Sequence, residues 1–279
     1  MADTRTVWLQ DMRWPEIEAH LAVDDVILMP IGATEQHGRH LPLSVDTGWA
    51  VASSQAAALR AGALVAPPLP YGWSPHHMGY PGTVTLGADT LKRVTVDIAL
   101  SLIHHGFRRL IIVNGNRIAN LQPLEIAAVE LIHRTGAHVV VADTGLIARH
   151  AVKALCEAAD GGLDHTGEAE TSFALHWSGD HVDMNEARAP APRNETVPSS
   201  VFDYPIELDP ALNGNAVSRF VTPAAHRAAT GPGGSLGDAT GATAEKGRAM
   251  VDAIAAGLTV LIDEVRRVPI GETRADIPY

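Results

Sequence analysis

The sequence is poor in cysteine, in long apolar runs and in positive charge, and each shortage excludes a class of protein. Its one cysteine, Cys156, excludes a disulfide within the chain and a cysteine-rich metal site. No apolar run approaches the length of a membrane span, and the first residues lack the apolar core of a signal peptide. A net charge of −11 argues against nucleic acid or an anionic membrane as a partner. We therefore expect a cytoplasmic protein that binds neither.

Short apolar runs that alternate with helical patterns predict an α/β fold. The runs at 27–31, 63–66, 110–113 and 138–142 are typical of strands. Helices are predicted over 15–22, 47–61, 90–105, 121–135, 145–159, 170–176 and 243–265. This order predicts a mostly parallel central sheet with helices on both faces, which is a three-layer sandwich. Because we find no linker or repeat, residues 1–279 are expected to form a single domain.

Metal-ligand residue types cluster directly after the first predicted strand. Glu35 and His37 are two residues apart and point to the same side if the chain is extended there. Asp46 follows just before a helical pattern, where its carboxylate could cap the helix and face the strand end. Carboxylate and imidazole donors together suit zinc, manganese or iron. A lone Glu-x-His pair is usually solvated, but the surrounding glycine and proline favour a binding loop.

Two further polar segments are candidates for the same site. The loop 67–88 is rich in glycine, proline, aromatics and histidine, which is typical of a functional loop, and Trp73 and Tyr80 are either loop core or pocket wall. His165 and Glu168 share a face if the chain turns helically there, whereas Glu170 is more typical of a helix start or an orienting residue. The glycine-rich stretch at 231–247 predicts a flexible polar loop.

Five segments together resemble the creatininase family, also called creatinine amidohydrolases. They are GATEQHGRHLPLSVD, HHMGYPGTVTL, IIVNGN, HTGEAETS and GDATGATAEKG, and the resemblance covers about residues 25–265. It implies a single creatininase-like α/β domain that assembles as a homohexamer. It also implies hydrolysis of C–N bonds in small cyclic or formyl amides with two divalent metal ions per chain, zinc, manganese or iron.

The resemblance assigns roles to individual residues. It makes Glu35, His37 and Asp46 metal ligands, with Asp46 between the two ions, and Glu168 a ligand of the second ion. His165 matches the family's proton-shuttling histidine. The resemblance places His77 close to the substrate pocket. The aromatic composition of the loop 67–88 adds Trp73 and Tyr80 as candidate substrate-binding residues.

One departure concerns the segment after the third strand. The family usually has Asn-Gly-His there, with the histidine on a metal, whereas this chain has Asn114-Gly115-Asn116. An amide oxygen is a poorer zinc ligand than an imidazole. Three interpretations stay open: Asn116 is a weak metal ligand, the site holds one metal, or the protein is inactive and only binds its substrate.

The sequence thus predicts a metal-dependent amidohydrolase for a small-molecule substrate. A metal-activated hydroxide attacks the carbonyl, and His165 protonates the leaving nitrogen. The alternatives are a lactonase or a peptidase-like member of the same family, or a catalytically inactive binding protein. Neither the substrate nor the metal follows from the residues.

Overall fold

A four-stranded parallel sheet forms the centre of the structure, a computed structural model that describes residues 6–158, 162–187 and 221–271. The strands are β1 (Val26–Ile31), β2 (Leu64–Val65), β3 (Arg109–Asn114) and β4 (His138–Asp143). Their order in the sheet is β2-β1-β3-β4. Ile31 lies opposite Asn114, and Asn114 lies opposite Asp143. The carboxyl ends of the three longer strands therefore lie level at one edge of the sheet.

Nine α-helices are described in these residue ranges. They are α1 (Trp14–Leu21), α2 (Val45–Ala61), α3 (Ala88–His104), α4 (Arg117–Thr135), α5 (Thr144–Ile147), α6 (Arg149–Leu155), α7 (Glu168–Ser178), α8 (Pro223–Thr230) and α9 (Ala244–Arg267). The helix predicted over 145–159 is two short helices, α5 and α6. The loop 67–88 contains one 3-10 turn, Pro75–Gly79.

Alternate residues of β1 enter two separate hydrophobic clusters. Val26 and Leu28 pack in one cluster with residues of α2, α7 and α9. Ile27 and Met29 pack in the other with residues of α3 and α4. This division follows from the two-residue period of a strand, because every residue of β1 is buried and neighbours point to opposite faces. The prediction of an α/β three-layer sandwich with a mostly parallel sheet is confirmed.

The start of α2 lies against the turn that follows β3. Gly115 makes this approach possible, because a Cβ atom there would overlap the carbonyl oxygen of Asp46. Asp46 lies in the first turn of α2, and Ser44 is the residue before the helix, so the predicted placement of Asp46 ahead of the helix is corrected. The helix starts earlier because Val45 is also buried and forms part of its packed face. The tertiary contact thus brings Asp46 to the carboxyl edge of the sheet.

Hydrogen bonds fix the turn after β3. The buried side chain of Asn114 donates to the carbonyl oxygen of Asn116 and to Oδ2 of Asp143, both at 2.8 Å. Its Oδ1 accepts from the backbone N–H of Asn116 at 3.1 Å.

None of the described helices is long and apolar enough to span a bilayer. That residues 1–279 form one domain stays a prediction.

Candidate metal centre and active site

Acidic and imidazole side chains meet at the carboxyl edge of the sheet. Glu35 and His37 come from the loop after β1, Asp46 from α2 and Glu170 from α7. Ligand atoms of Glu35, His37 and Asp46 lie within 4.8 Å of one another. Nε2 of His37 lies 3.4 Å from Oδ1 of Asp46 and 3.6 Å from Oε2 of Glu170. We call these four residues the acidic cluster.

No lysine or arginine among the described residues offsets the carboxyl groups of the acidic cluster. Glu35 and Asp46 are buried, and among the described residues neither they nor Glu170 form an ion pair with lysine or arginine. Oδ2 of Asp46 and Nε2 of His37 are buried, and no described residue gives them a hydrogen bond. Buried charges are normally paired or bind metals. Three carboxylates and an imidazole are a suitable donor set for zinc or manganese, so these residues fit a divalent metal centre.

Proton affinities in the acidic cluster are strongly perturbed. Burial raises the pKa of Glu35 well above its usual range, and the neighbouring Asp46 raises it further. Burial also raises the pKa of Glu170 to about 7. Burial opposes the charged form of His37, but the carboxylates of Asp46 and Glu170 outweigh it and raise its pKa to about 10. Glu35 and Glu170 therefore resist ionisation unless a cation is present.

Asn116 lies beside the acidic cluster at the start of α4. Its Nδ2 donates to Oε2 of Glu35 at 2.9 Å and to Oγ of Ser74 at 3.0 Å. The side chain is buried. The amide therefore holds Glu35 from the position at which the family resemblance expects an imidazole. Its nitrogen is a hydrogen-bond donor there and offers no lone pair to a metal.

Glu168 does not reach the acidic cluster. It is fully buried, and its Oε1 accepts from Nζ of Lys246 at 2.5 Å. Its Oε2 accepts from the backbone N–H groups of Glu157 and Ala158 at 2.7 Å each. Residues two apart on a helix differ by about 200° around its axis. Glu170, two residues further along the same first turn, therefore faces the other way and joins His37.

His165 lies above the acidic cluster. Its Nδ1 is 3.8 Å from Oε2 of Glu170, and its ring centroid is 4.5 Å from that of His37. The next residue, Thr166, has φ 63°, a conformation that a β-branched residue rarely adopts. Its backbone N–H donates to Oε2 of Glu170 at 2.6 Å. This strained turn costs about 1–3 kcal/mol, and it sets the direction of His165 relative to Glu170.

Four histidines, His76, His77, His165 and His226, lie together beside the acidic cluster. Nε2 of His77 lies 3.2 Å from Oε1 of Glu35, and the His77 ring centroid is 4.6 Å from that of His165. His226, from α8, lies 4.5 Å from the His77 centroid and 5.3 Å from that of His76. Burial lowers the pKa of His77 and His165 well below the usual value, and that of His76 and His226 to about 4. All four imidazoles are therefore neutral near pH 7.

Neither His76 nor His226 is assigned a role in the site by the sequence. Nε2 of His226 is buried and has no hydrogen-bond partner within the part of the chain that the structure describes. A single histidine in a helical stretch far along the chain from the other site residues carries no spacing signal. Only the packing of α8 against the Pro75–Gly79 turn brings it to His77.

Trp73 and Tyr80 occupy different environments. Trp73 packs against the cluster that contains β1 and α3 residues, and its backbone N–H donates to Oδ1 of Asn120 at 2.8 Å. The hydroxyl of Tyr80 donates to the carbonyl oxygen of Gly231 at 2.5 Å. The Tyr80 ring lies 6.4 Å from that of His226. Of the two aromatic candidates, Tyr80 is thus the one that borders the histidines.

Comparisons with known proteins identify the family. A family model described as creatinine amidohydrolase matches residues 10–262. The chain is 30% identical over 276 residues to creatinine amidohydrolase of Pseudomonas putida, covering 94% of this chain and 98% of the relative. It is 35% identical over 233 residues to a mycofactocin precursor peptide peptidase of Mycobacterium ulcerans (strain Agy99), covering 80% and 78%.

Solved structures show the same fold. A Zn–Zn form of a creatininase mutant is 29% identical and superposes with a TM-score of 0.74, covering 94% of this chain and 98% of that one. A structure titled as a manganese creatininase is also 29% identical, with a TM-score of 0.72 and coverages of 93% and 98%. The chain therefore belongs to the creatininase family, and it is a hydrolase that acts on C–N bonds.

Proposed function

We propose that this protein is a metal-dependent amidohydrolase that cleaves the C–N bond of a small cyclic amide or a related amide. The acidic cluster is the single observation that carries the proposal. Glu35 and Asp46 are buried, and their ligand atoms lie within 4.8 Å of each other and of His37, an arrangement that is costly unless cations bind there. The Zn–Zn form of a creatininase mutant supports two ions per chain.

The ligand set that we propose is Glu35, His37, Asp46 and Glu170. Glu170 takes the role that the resemblance gave to Glu168, because its carboxylate faces His37 while that of Glu168 pairs with Lys246. Oδ1 of Asp46 lies 3.4 Å from Nε2 of His37, and no described residue gives Oδ2 a hydrogen bond, so this oxygen would be available to an ion. Asn116 supports the site by orienting Glu35, rather than as a strong ligand.

Divalent ions, when bound, lower the pKa of a water molecule and polarise the amide carbonyl. The side chains do the rest. Water adds to the carbonyl carbon, the C–N bond breaks, and the leaving nitrogen needs a proton. His165 supplies it from Nδ1, the ring nitrogen on the Glu170 side, and the proton that the attacking water loses restores the neutral ring. The neutral His77 donates from Nε2 to Oε1 of Glu35 and holds that carboxylate in place.

A peptide is the second candidate substrate. The peptidase relatives are 33–35% identical to this chain, against 30% for creatinine amidohydrolase. The same chemistry cleaves a peptide C–N bond. A lactone substrate and an inactive binding protein are the remaining alternatives, and assembly as a hexamer and a cytoplasmic location stay predictions.

Metal content and hydrolysis, measured together, test the proposal. Wild-type protein and Asn116→His are purified, their zinc and manganese per chain are determined, and both are assayed against cyclic amides, formamides, short peptides and the matching lactones. We expect stoichiometric metal in the wild type and hydrolysis of at least one amide that chelation abolishes. If Asn116→His gains metal and activity that the wild type lacks, Asn116 is a disabling change. Absence of metal from both proteins would refute a metal-dependent hydrolase.

A further inference from the structure

Gln36 lies between Glu35 and His37, yet its side chain points away from the acidic cluster towards the histidines. It is buried, and its backbone N–H donates to Oγ1 of Thr83 at 3.1 Å. Its Nε2 lies 2.9 Å from Nδ1 of His77 and 3.0 Å from Nε2 of His165. The amide group of Gln36 therefore contacts the imidazoles of His77 and His165 at once.

The main chain fixes which end of the amide faces the histidines. Oε1 of Gln36 accepts from the backbone N–H of Gly38 at 3.0 Å, and Nε2 donates to the carbonyl oxygen of Gly234 at 3.2 Å. Rotating the amide by half a turn would place its oxygen against the Gly234 oxygen and its NH₂ group against the Gly38 N–H. Both contacts would be repulsive. The NH₂ group must therefore face the histidines. It has two hydrogens for three acceptors, so one hydrogen is shared between two of them, and neither imidazole nitrogen can be the donor because the amide nitrogen does not accept.

A donor at this position decides where each imidazole carries its proton. A neutral imidazole has one N–H and one acceptor nitrogen. Because Gln36 presents hydrogens to Nδ1 of His77, that nitrogen is the acceptor and the proton is on Nε2, which lies 3.2 Å from Oε1 of Glu35. By the same argument His165 accepts at Nε2 and carries its proton on Nδ1, on the Glu170 side.

We propose that Gln36 is a positioning residue that sets the tautomers of His77 and His165, so that both rings present N–H groups to the acidic cluster. His77 then holds Glu35 as a donor, and its Nε2 has no lone pair for a metal. This matters because His77 lies within ligand distance of Glu35 and His165 and could otherwise replace the imidazole that Asn116 lacks. The catalytic consequence for His165 rests on the proposed function, whereas the proton positions do not.

The glycine-rich stretch at 231–247 supports this role. A Cβ atom on Gly234 would overlap Oε1 of Gln36, and the residue has φ +71°, so glycine is required on both counts. Backbone N–H groups of Leu236 and Gly237 both donate to the carbonyl oxygen of His165. The part of this stretch nearest the site is thus packed against Gln36 and His165, rather than being the flexible loop that its composition predicts.

Neutron crystallography of the deuterium-exchanged, zinc-loaded protein locates these protons directly. In the wild type we expect deuterium on Nε2 of His77 and on Nδ1 of His165. In Gln36→Glu an acceptor replaces the donor, so deuterium should appear on Nδ1 of His77. Gln55→Glu, which adds the same charge on α2 about 14 Å along the helix from Asp46, should leave the wild-type pattern unchanged.

Zinc on Nε2 of His77 in the wild type, with deuterium on Nδ1, would overturn the proposal. So would an unchanged His77 proton position in Gln36→Glu. If Gln36→Glu does not fold, Gln36→Met removes the donor without adding charge, and loss of the single wild-type tautomer at His77 is the expected result; retention of that tautomer refutes the role of Gln36. If the protons lie as expected but no amide is hydrolysed, the proposed function fails and the tautomer assignment stands.

Discussion

Replacing Glu170 with glutamine tests which of the two glutamates of α7, Glu168 or Glu170, is a metal ligand. Binding of an ion at 100 times its Kd stabilises the folded protein by about 2.7 kcal/mol. For a chain of this size, each kcal/mol raises Tm by about 2–4 °C, so zinc should raise the wild-type Tm by about 5–11 °C. Substitutions near a metal typically weaken its binding by about 10–100-fold, and we take about 100-fold for the loss of a ligand. At the same zinc concentration, bound zinc would then stabilise the folded variant by only about 0.4 kcal/mol. The zinc-induced shift in Glu170→Gln should therefore fall to about 1–2 °C.

Without metal, Glu170→Gln should raise the stability of the folded protein. Burial raises the pKa of Glu170 from 4.5 to about 7, so the folded protein binds this proton more tightly than the unfolded chain. Stability is then lost as the pH rises from 4.5 to about 7, and at about 1.4 kcal/mol per pH unit the ionised group costs about 3 kcal/mol at pH 8. Glu170→Gln removes this cost, so the metal-free variant should be more stable than the wild type at pH 8.

Thermal unfolding at pH 8, with chelator and with zinc, measures both effects. Glu168→Gln is the matched control. It removes a carboxylate from the same helical turn, but this carboxylate pairs with Lys246 and does not face His37. Its zinc-induced shift should equal that of the wild type, whatever its own Tm. A full zinc shift in Glu170→Gln together with a lost shift in Glu168→Gln would refute the ligand assignment drawn from the structure.

Three further substitutions test other parts of the site. His165→Ala should lower kcat by about 10²–10⁴ and leave bound metal per chain unchanged, whereas a loss of metal would make His165 a ligand. Burial lowers the pKa of His226 to about 4, so the unfolded chain takes up this proton first as the pH falls below 6.5, and the folded protein loses stability towards pH 4. His226→Phe removes this effect, so the free energy of unfolding in urea should fall by about 1 kcal/mol less between pH 6 and pH 5 in the variant than in the wild type. An equal fall in both proteins would contradict this. Gly115→Ala should cost about 3 kcal/mol or more, because its Cβ meets the backbone of Asp46, and a near-native Tm would show that α2 can move away.

Local sequence signals were sufficient to predict the sheet and most of its helices. The strands are short, almost continuously apolar runs, and their burial on both faces explains why no alternation was visible. Glu35 and His37 could be identified because they follow such a strand two residues apart. The helix predicted over 145–159 failed because Ala148 lies outside helical geometry between α5 and α6. No composition rule anticipates that break.

The fold class, the family, and the loop that brings carboxylate and imidazole to a strand end follow from the sequence alone, because these depend on local apolar patterning and on contiguous motifs. Tertiary structure decided which glutamate of α7 faces His37, since the rotation of a helix is fixed by the surfaces packed against it. It also brought His226 and Gly234 to the site from the carboxy-terminal part of the chain. Hydrogen bonds from Gly38 and Gly234 orient the amide of Gln36, and through it the protons of two histidines. Such contacts between distant segments exist only once the chain has folded.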